Sequence, residues 1–181
     1  MESVPGTPSR QVRTAILRTL AKGFDMAGLW FEEFTVGRVF VHEIRRSVTE
    51  MDNMLFSSLT FNPAPIHVDF AYASNTEFGR PIVNSIFTLG LVIGLSVQDT
   101  TLGTTVGNLG MTDTVFPNPV FAGDTIRAET EVVATRSSLS RPGQGIVTLS
   151  HSGFNQAGKL VCKTTRAALM LPRPVADQLV R

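Results

Sequence analysis

The segment from Ile82 to Val97 constrains the fold of this chain more than any other. Read as a helix, it has apolar or small side chains on nearly every face, most densely from Leu89 to Leu95. Helices of this kind are normally buried. Polar residues interrupt the segment, and it falls short of the roughly 20 apolar residues that a membrane span requires. It therefore predicts a helix that the rest of the fold encloses.

Strand patterns flank this helix on both sides. One strand is predicted over about Arg38–Val48, and the chain beyond Thr105 alternates between strands and turns that hold glycine or proline. The later strands are about Thr105–Val115, Thr125–Ser138, Gly145–Asn155 and Lys159–Leu171. Such an order predicts one α+β domain, a curved antiparallel sheet around a central buried helix, which is the hotdog fold. Because this sheet has open edges, we expect a homodimer or a higher homo-oligomer.

Length and composition set the boundaries and exclude several functions. The 181 residues suit one domain, predicted over 29–172, with an arm at 1–28 and a tail at 173–181. The residue pattern of the arm predicts a short helix from about Arg10 to Lys22. Its composition, rich in arginine and poor in acids, also resembles that of a mitochondrial transit peptide. We expect a cytoplasmic protein and keep the transit peptide as the alternative. A net charge of +1 gives no basic excess for nucleic acid, and we expect no membrane partner.

Cysteine and histidine are scarce. The single cysteine, Cys162, excludes an internal disulfide and a cysteine-based zinc cluster. His42 and His151 alternate along predicted strands, with no second histidine or acid near them in sequence at ligand spacing. We therefore expect no metal site.

The densest candidate chemistry lies between Thr60 and Asp69. His67 sits there between two prolines and the start of a short helix that Asp69 can cap, and Thr49 predicts the cap of an earlier helix. An imidazole titrates near pH 6.5, so His67 could exchange protons near neutrality. It could equally be a half-buried structural histidine whose ring bonds a backbone carbonyl.

Here the sequence resembles the MaoC-like, R-specific enoyl-CoA hydratases, whose motif is Asp-x-Asn-Pro-[hydrophobic]-His-x-Asp-x-x-[small]. His67 and Asp69 follow the motif, and the resemblance extends over about Trp30 to Leu171. Several segments are similar to the subgroup that acts on mesaconyl-, methylmalyl- and itaconyl-CoA. They are Phe56-Ser57-x-Leu59-Thr60, Val83-Asn84-Ser85, Ser138-x-Ser140-Arg141-Pro142 and Asn155-Gln156-x-Gly158. The resemblance implies the reversible hydration of a short branched or dicarboxylic 2-enoyl-CoA, with no cofactor beyond the CoA of the substrate.

One position departs from the family pattern. The family's catalytic aspartate stands five residues before the histidine, where this chain has Asn62. We expect His67 to be the only titrating group of the pair and Asn62 to orient the water. Alternatively, Asp69 or Asp52 supplies a carboxylate, although both stand where helix capping is the simpler explanation.

The start of the buried helix supplies the second requirement, an oxyanion site for the thioester. By resemblance, the backbone amide of Ser85 donates to the thioester oxygen, since helix N-termini present free N–H groups. Asn84 could contact substrate or simply cap the helix. Arg80 could bind an acyl carboxylate or pair with Glu77.

A second arginine and two rival functions complete the predictions. Arg141 could meet a CoA phosphate or a carboxylate, or remain solvated. One rival is a hotdog acyl-CoA thioesterase, and the other is a non-catalytic acyl-CoA-binding subunit, which the asparagine at position 62 makes credible.

Overall fold

A computed structural model describes residues 28–174 of the chain. The predicted arm helix, the transit-peptide alternative and most of the predicted tail lie outside those residues. Within them, no helix has both the length and the apolar content to cross a membrane.

Six strands form the antiparallel sheet. They are β1 (Val39–Val41), β2 (Arg46–Ser47), β3 (Thr105–Val115), β4 (Thr125–Ser137), β5 (Gly145–Phe154) and β6 (Leu160–Met170). Their order is β1-β4-β5-β6-β3, with β2 also paired to β4. The four later strands match the prediction within a residue at each end. The prediction of a single early strand was wrong, because the chain bends between Val41 and Arg46 and pairs with β4 in two short strands.

Within residues 28–174, a 3-10 helix at Phe31–Glu33 and four α-helices accompany the sheet: α1 (Glu50–Leu59), α2 (Pro65–Val68), α3 (Phe70–Ser74) and α4 (Ser85–Thr100). Thr49 caps α1 by accepting a hydrogen bond from the Asp52 amide, and Asp69 caps α3 through the Tyr72 amide. Both caps confirm the predictions. They hold the short helices of residues 50–74 in the stretch that leads to α4.

The central helix begins three residues later than predicted. Ile82 forms a β-bridge with Phe121, and the Val83 amide donates to the Val120 carbonyl, so the backbone is still extended there. Asn84 then caps the helix by accepting from the Ile86 amide at 3.0 Å. The helix packs against β5 where the chain has Gly153, since a Cβ at that position would collide with the Val92 side chain.

Burial of α4 is less complete than predicted. Thr88, Val92, Leu95 and Ser96 are buried against the sheet, whereas Gly90 and Gly94 are exposed and Ile86 is 55% exposed. One stripe of the helix therefore faces out of the single chain. The antiparallel sheet on a central helix nevertheless confirms the α+β, hotdog-type arrangement.

A polar row divides the core into two apolar clusters. One cluster joins the first half of α4 to the row of Ala128 and Cys162, and the other surrounds Val132 and Leu149. Between them, Thr130, His151 and Thr164 stand opposite one another on β4, β5 and β6. All three are fully buried.

Candidate active site

His67 lies in α2 with one ring nitrogen held and the other free. Pro65 occupies the first turn of this short helix, and the His67 amide donates to the Ala64 carbonyl. The Nδ1 atom lies 2.9 Å from the Ile82 carbonyl oxygen. Because a carbonyl can only accept, Nδ1 carries the proton and the neutral ring keeps its lone pair on Nε2. No described residue hydrogen-bonds to Nε2, which leaves that nitrogen able to act as a base.

Asn62 is tied to the same backbone segment. Its Oδ1 accepts a hydrogen bond from the Ala64 amide at 3.1 Å, and its own amide donates to the Ser57 carbonyl. With the carbonyl end of the side chain occupied, the Nδ2 group is the end without a partner among the described residues. Asn62 can therefore donate a hydrogen bond to a water oxygen but cannot remove a proton.

The N-terminus of α4 presents the Ser85 amide. Asn84 caps the helix, and no described residue accepts a hydrogen bond from the Ser85 N–H. The first amides of a helix lack intrahelical partners and favour negative charge. The backbone N–H at Ser85 is therefore available to a ligand oxygen.

Asn53, which the sequence reasoning missed, joins these pieces. Its Nδ2 lies 2.8 Å from the His67 carbonyl oxygen and 3.1 Å from that of Ile82. Its Oδ1 accepts from the Asn84 amide at 2.9 Å. The side chain is 4% exposed and projects from α1. The available signal was a polar residue four positions after the predicted cap. The partners of Asn53, however, are 14 to 31 residues away in sequence.

The strand-like segment from Pro81 to Val83 contributes to the lining of two cavities. The smaller, of ≈ 70 Å³, is lined by His67, Asn53 and Arg80 among others. It has room for a few water molecules. The larger, of ≈ 310 Å³, is lined by Ser85, Thr88 and mainly apolar residues, including Phe116 and Val161. Its size suits a small apolar ligand group.

Arg80 reaches the cavity of His67. It lies over the Phe121 ring, with 4.1 Å between the guanidinium carbon and the ring centroid. The alternative pairing with Glu77 was wrong, because no described acid lies within ion-pair distance of Arg80. The guanidinium edge is therefore open to a ligand.

Arg141 lies apart from these residues. It belongs to the turn between β4 and β5, where its amide donates to the Ser138 hydroxyl. The cavity of His67 adjoins Ala122, just before the opposite end of β4. A strand of that length spans roughly 40 Å, so a single chain does not bring Arg141 to His67.

The two candidate carboxylates are occupied in capping. Asp52 accepts from the Thr49 amide and hydroxyl and from Arg46. Burial alone would raise the pKa of Asp52, but the hydrogen bonds from Arg46 and Thr49 outweigh it and lower that pKa. Asp69 accepts from the Tyr72 amide. Capping, the simpler of the two explanations, accounts for both residues.

The other two histidines form a network that the sequence did not indicate. His42 Nδ1 lies 2.7 Å from Asp99 Oδ2, and its Nε2 lies 2.8 Å from Thr130 Oγ1. The same hydroxyl lies 2.9 Å from His151 Nδ1. The expectation that neither histidine lies near a second histidine or an acid was therefore wrong, because the fold brings Asp99 to His42 and joins the two histidines through Thr130.

This buried row has the order acid, imidazole, hydroxyl, but the hydroxyl has no access to a substrate. Thr130 and His151 are 0% exposed. Burial lowers the pKa of His151 to about 3, with further contributions from Arg166 and His42. A nucleophile must reach its substrate, so we interpret the row as structural.

Comparison with known proteins places the chain in a family. Residues 32–154 match the model of the MaoC like domain. The chain belongs to this family. A conserved hypothetical protein from Mycobacterium tuberculosis, described as a double hotdog fold, superposes with a TM-score of 0.73 at 22% identity, over 81% of this chain and 45% of that one. That similarity confirms the hotdog fold.

Two curated relatives are similar in sequence. The mesaconyl-CoA hydratase of Cereibacter sphaeroides is 31% identical over 83% of this chain and 43% of its own length. The (R)-specific enoyl-CoA hydratase of Aeromonas caviae is 37% identical over 65% of this chain and 81% of its own length. The chain thus spans about two fifths of the first of these relatives and most of the second.

Proposed function

We propose that this chain carries the hydratase site of a 2-enoyl-CoA hydro-lyase, working without a metal or organic cofactor. One observation carries the proposal: His67, whose Nε2 has no partner among the described residues, lines a water-sized cavity, and Ser85, whose amide has none, lines a second, acyl-sized cavity. Relatives named as hydratases support the same chemistry.

In the proposed reaction, a water molecule sits between Asn62 and His67. Asn62 Nδ2 donates to the water oxygen, and His67 Nε2 accepts one water proton as the oxygen attacks the β-carbon of the enoyl thioester. Negative charge moves to the thioester oxygen, where the Ser85 amide stabilises it. The imidazolium then gives its proton to the α-carbon, so that H and OH have both been added and His67 is neutral again.

Short branched or dicarboxylic acyl groups are the proposed substrates, of the mesaconyl-, itaconyl- or methylmalyl-CoA type. The cavity of ≈ 310 Å³ favours a small acyl group. Arg80, beside His67 and unpaired with any described acid, offers a fork that can bind a carboxylate with two hydrogen bonds. Asn84 would adjoin the acyl group from the helix cap, and Arg141 would reach a substrate only from a neighbouring subunit.

A second copy of the chain is the proposed partner. β3 is an edge strand of 11 residues with exposed apolar side chains at Val106, Leu109, Met111 and Val115. Long apolar edges favour pairing with another strand. The exposed stripe of α4 at Ile86, Gly90 and Gly94 would be covered in the same assembly.

The thioesterase alternative is disfavoured by the position of the one acid in α4. That acid, Asp99, lies 14 residues after Ser85 along the helix, or roughly 21 Å. It is also paired with His42. A base at that distance cannot serve an oxyanion site at the N-terminus of the helix.

A direct assay tests the hydratase proposal. Purified wild type and His67→Ala are incubated with mesaconyl-, itaconyl- and crotonyl-CoA, and the loss of the enoyl thioester absorbance is followed. Wild type should hydrate at least one of them, and the variant should lose about 10²- to 10⁴-fold in kcat, the usual contribution of a general base. Hydration by neither protein, or equal rates in both, contradicts the proposal.

The same reactions separate the two rival functions. Release of free CoA thiol without a hydrated product would indicate a thioesterase. Tight binding of the acyl-CoA without turnover would indicate a binding subunit, and Asn62→Asp would then be expected to create activity by restoring a carboxylate.

A further inference from the structure

We propose that Asn53 is a positioning residue, which fixes the base nitrogen of His67 and the oxyanion amide of Ser85 relative to each other. The inference rests on the hydratase function proposed above. Asn53 is neither the base nor the oxyanion donor in that reaction; it acts through the backbone of His67, Ile82 and Asn84.

The Asn53 amide is almost fully used. Both of its N–H groups face carbonyl oxygens, of His67 and Ile82, and its oxygen accepts from the Asn84 amide. Carbonyls only accept and an amide N–H only donates, so the orientation of the side chain is dictated by its partners. A single buried side chain thus connects the helix of His67 with the cap of α4.

The contact with Ile82 bears directly on the state of His67. The Ile82 carbonyl oxygen accepts from both Asn53 Nδ2 and His67 Nδ1, which places these two nitrogens within about 6 Å of each other. By holding that carbonyl in place, Asn53 keeps the proton on Nδ1 and the lone pair on Nε2, the tautomer that the proposed reaction requires.

Ser57 extends the same arrangement by one helical turn. Its hydroxyl accepts from Asn84 Nδ2 at 3.4 Å, and its carbonyl accepts from the Asn62 amide. Residues four apart share a helix face. One face of α1 therefore contacts His67, Asn62 and the cap of α4. Asn53 makes shorter and more numerous side-chain bonds than Ser57 does.

Kinetics of two variants test this role. Asn53→Ala removes all three bonds, and Asn53→Asp keeps the volume and the acceptor for Asn84 but lacks both donors. We expect kcat for enoyl-CoA hydration to fall about 10- to 100-fold in each, since small misplacements of reacting groups have effects of that size, with KM changed less than threefold. Asn155→Ala is the matched control, because Asn155 is also a buried asparagine with two bonds, in the β5–β6 turn.

The pH profile tests how close position 53 lies to the His67 ring. A carboxylate within about 6 Å of His67 favours the imidazolium. The acid limb of the kcat profile should therefore move to higher pH in Asn53→Asp and stay in place in Asn53→Ala. Because the new carboxylate acts on His67 whatever the native amide does, the kcat and the His67 tautomer of Asn53→Ala carry the test of positioning.

Nitrogen-15 NMR of the imidazoles gives a readout that needs no activity. The chain has three histidines, and His67→Ala assigns the signal of interest. Wild type should show His67 as the Nδ1–H tautomer, and Asn53→Ala should show a mixture of tautomers. If wild type proves to have no hydratase activity, the function proposed above fails, while the tautomer result still decides whether Asn53 controls His67.

Several outcomes would overturn the proposal. They are a kcat loss no larger than that of Asn155→Ala, a change confined to KM, or an unaltered His67 tautomer in Asn53→Ala. Failure of both Asn53 variants to fold, judged by circular dichroism, would also overturn it, because Asn53 would then be required for the fold as a whole.

Discussion

The chain contains two hydrogen-bonded histidine networks that differ in access. At His67, one ring nitrogen is bonded to the backbone, the other has no partner among the described residues, and the residue lines a cavity of ≈ 70 Å³. At His42, both ring nitrogens are bonded, to Asp99 and to Thr130, and the residue is 3% exposed. The His42 network has the more suggestive order of groups, yet only His67 has a nitrogen that a substrate or water can reach.

The partners of the two networks explain the difference. His67 and Asn53 bond mainly to backbone carbonyls and amides. Both residues line the cavity that has room for a few water molecules. His42, Thr130 and His151 bond to one another across the sheet, between two apolar clusters. His151 Nε2 also has no partner among the described residues, but His151 is 0% exposed, whereas His67 is half-buried and lines a cavity. Access to a ligand, and not an unsatisfied nitrogen alone, separates the two networks.

Thr130→Val should show the largest effect on stability, because it breaks the buried network at its centre. The Thr130 hydroxyl is hydrogen-bonded to both His42 Nε2 and His151 Nδ1, and valine has the same shape without the hydroxyl. Each buried group left without a partner costs about 1–3 kcal/mol, so we expect a loss of about 2–6 kcal/mol in the free energy of unfolding by urea.

Thr148→Val is the control for that change. Thr148 lies on the other face of β5, is half-buried and has no hydrogen bond from its side chain to a described residue. Thr148→Val should change the unfolding free energy by less than about 0.5 kcal/mol, as is usual for substitutions of this kind. If Thr130→Val were as mild as its control and instead reduced hydration of an enoyl-CoA, the two networks would have the opposite roles.

His151 makes the stability of the core network depend on pH. Its pKa is lowered from 6.5 to about 3, first by burial. The unfolded chain therefore binds a proton between these values that the folded chain does not, and stability should fall as pH decreases from 6.5 toward 3. One group contributes a slope of about 1.4 kcal/mol per pH unit.

His151→Gln should remove this slope while leaving an amide that can still donate to Thr130. Unfolding free energies of the variant and of wild type, measured from pH 7 to pH 4, should converge by about 1.4 kcal/mol per unit below pH 6. Thr148→Val, which leaves His151 in place, should keep the wild-type slope. Parallel curves for His151→Gln and wild type would mean that His151 is not held neutral in the core.

Local patterns predicted most of the fold. The β3–β6 boundaries followed from alternation and from glycine- or proline-containing turns, and Thr49 and Asp69 were recognised as caps because their partners lie three residues away. The extended start of α4 was missed because a strand pairing with Phe121, 39 residues later, decides it. Tertiary hydrogen bonds to distant residues leave no periodic signal in a sequence.

The same division applies to the candidate site. His67 and Asn62 stood out because prolines and a family motif surround them, and the Ser85 amide was expected from the resemblance to that family. Asn53 did not stand out, since its partners His67, Ile82 and Asn84 lie 14, 29 and 31 residues away. His42 was misjudged for the same reason, with Asp99 and Thr130 lying 57 and 88 residues away.

The smallest expected effect comes from the cap of α1, the helix that carries Asn53. Thr49 accepts from the Asp52 amide at 3.2 Å, and Asp52 in return accepts from the Thr49 amide at 2.8 Å. Thr49→Ala should lower the unfolding free energy by about 1 kcal/mol, the usual cost of losing such a cap. Thr49→Ser, which keeps the hydroxyl, should lower it by much less.

Where Thr49→Ala loses stability shows whether the two histidine networks are independent. Fraying of the first turn of α1 loosens Asn53 but not the strands that carry Thr130 and His151. Hydrogen exchange measured by mass spectrometry should therefore rise in Thr49→Ala over residues 50–59 and 65–68 and remain unchanged over β4 and β5. Faster exchange in β4 and β5 as well would show that the two networks form one cooperative unit rather than two.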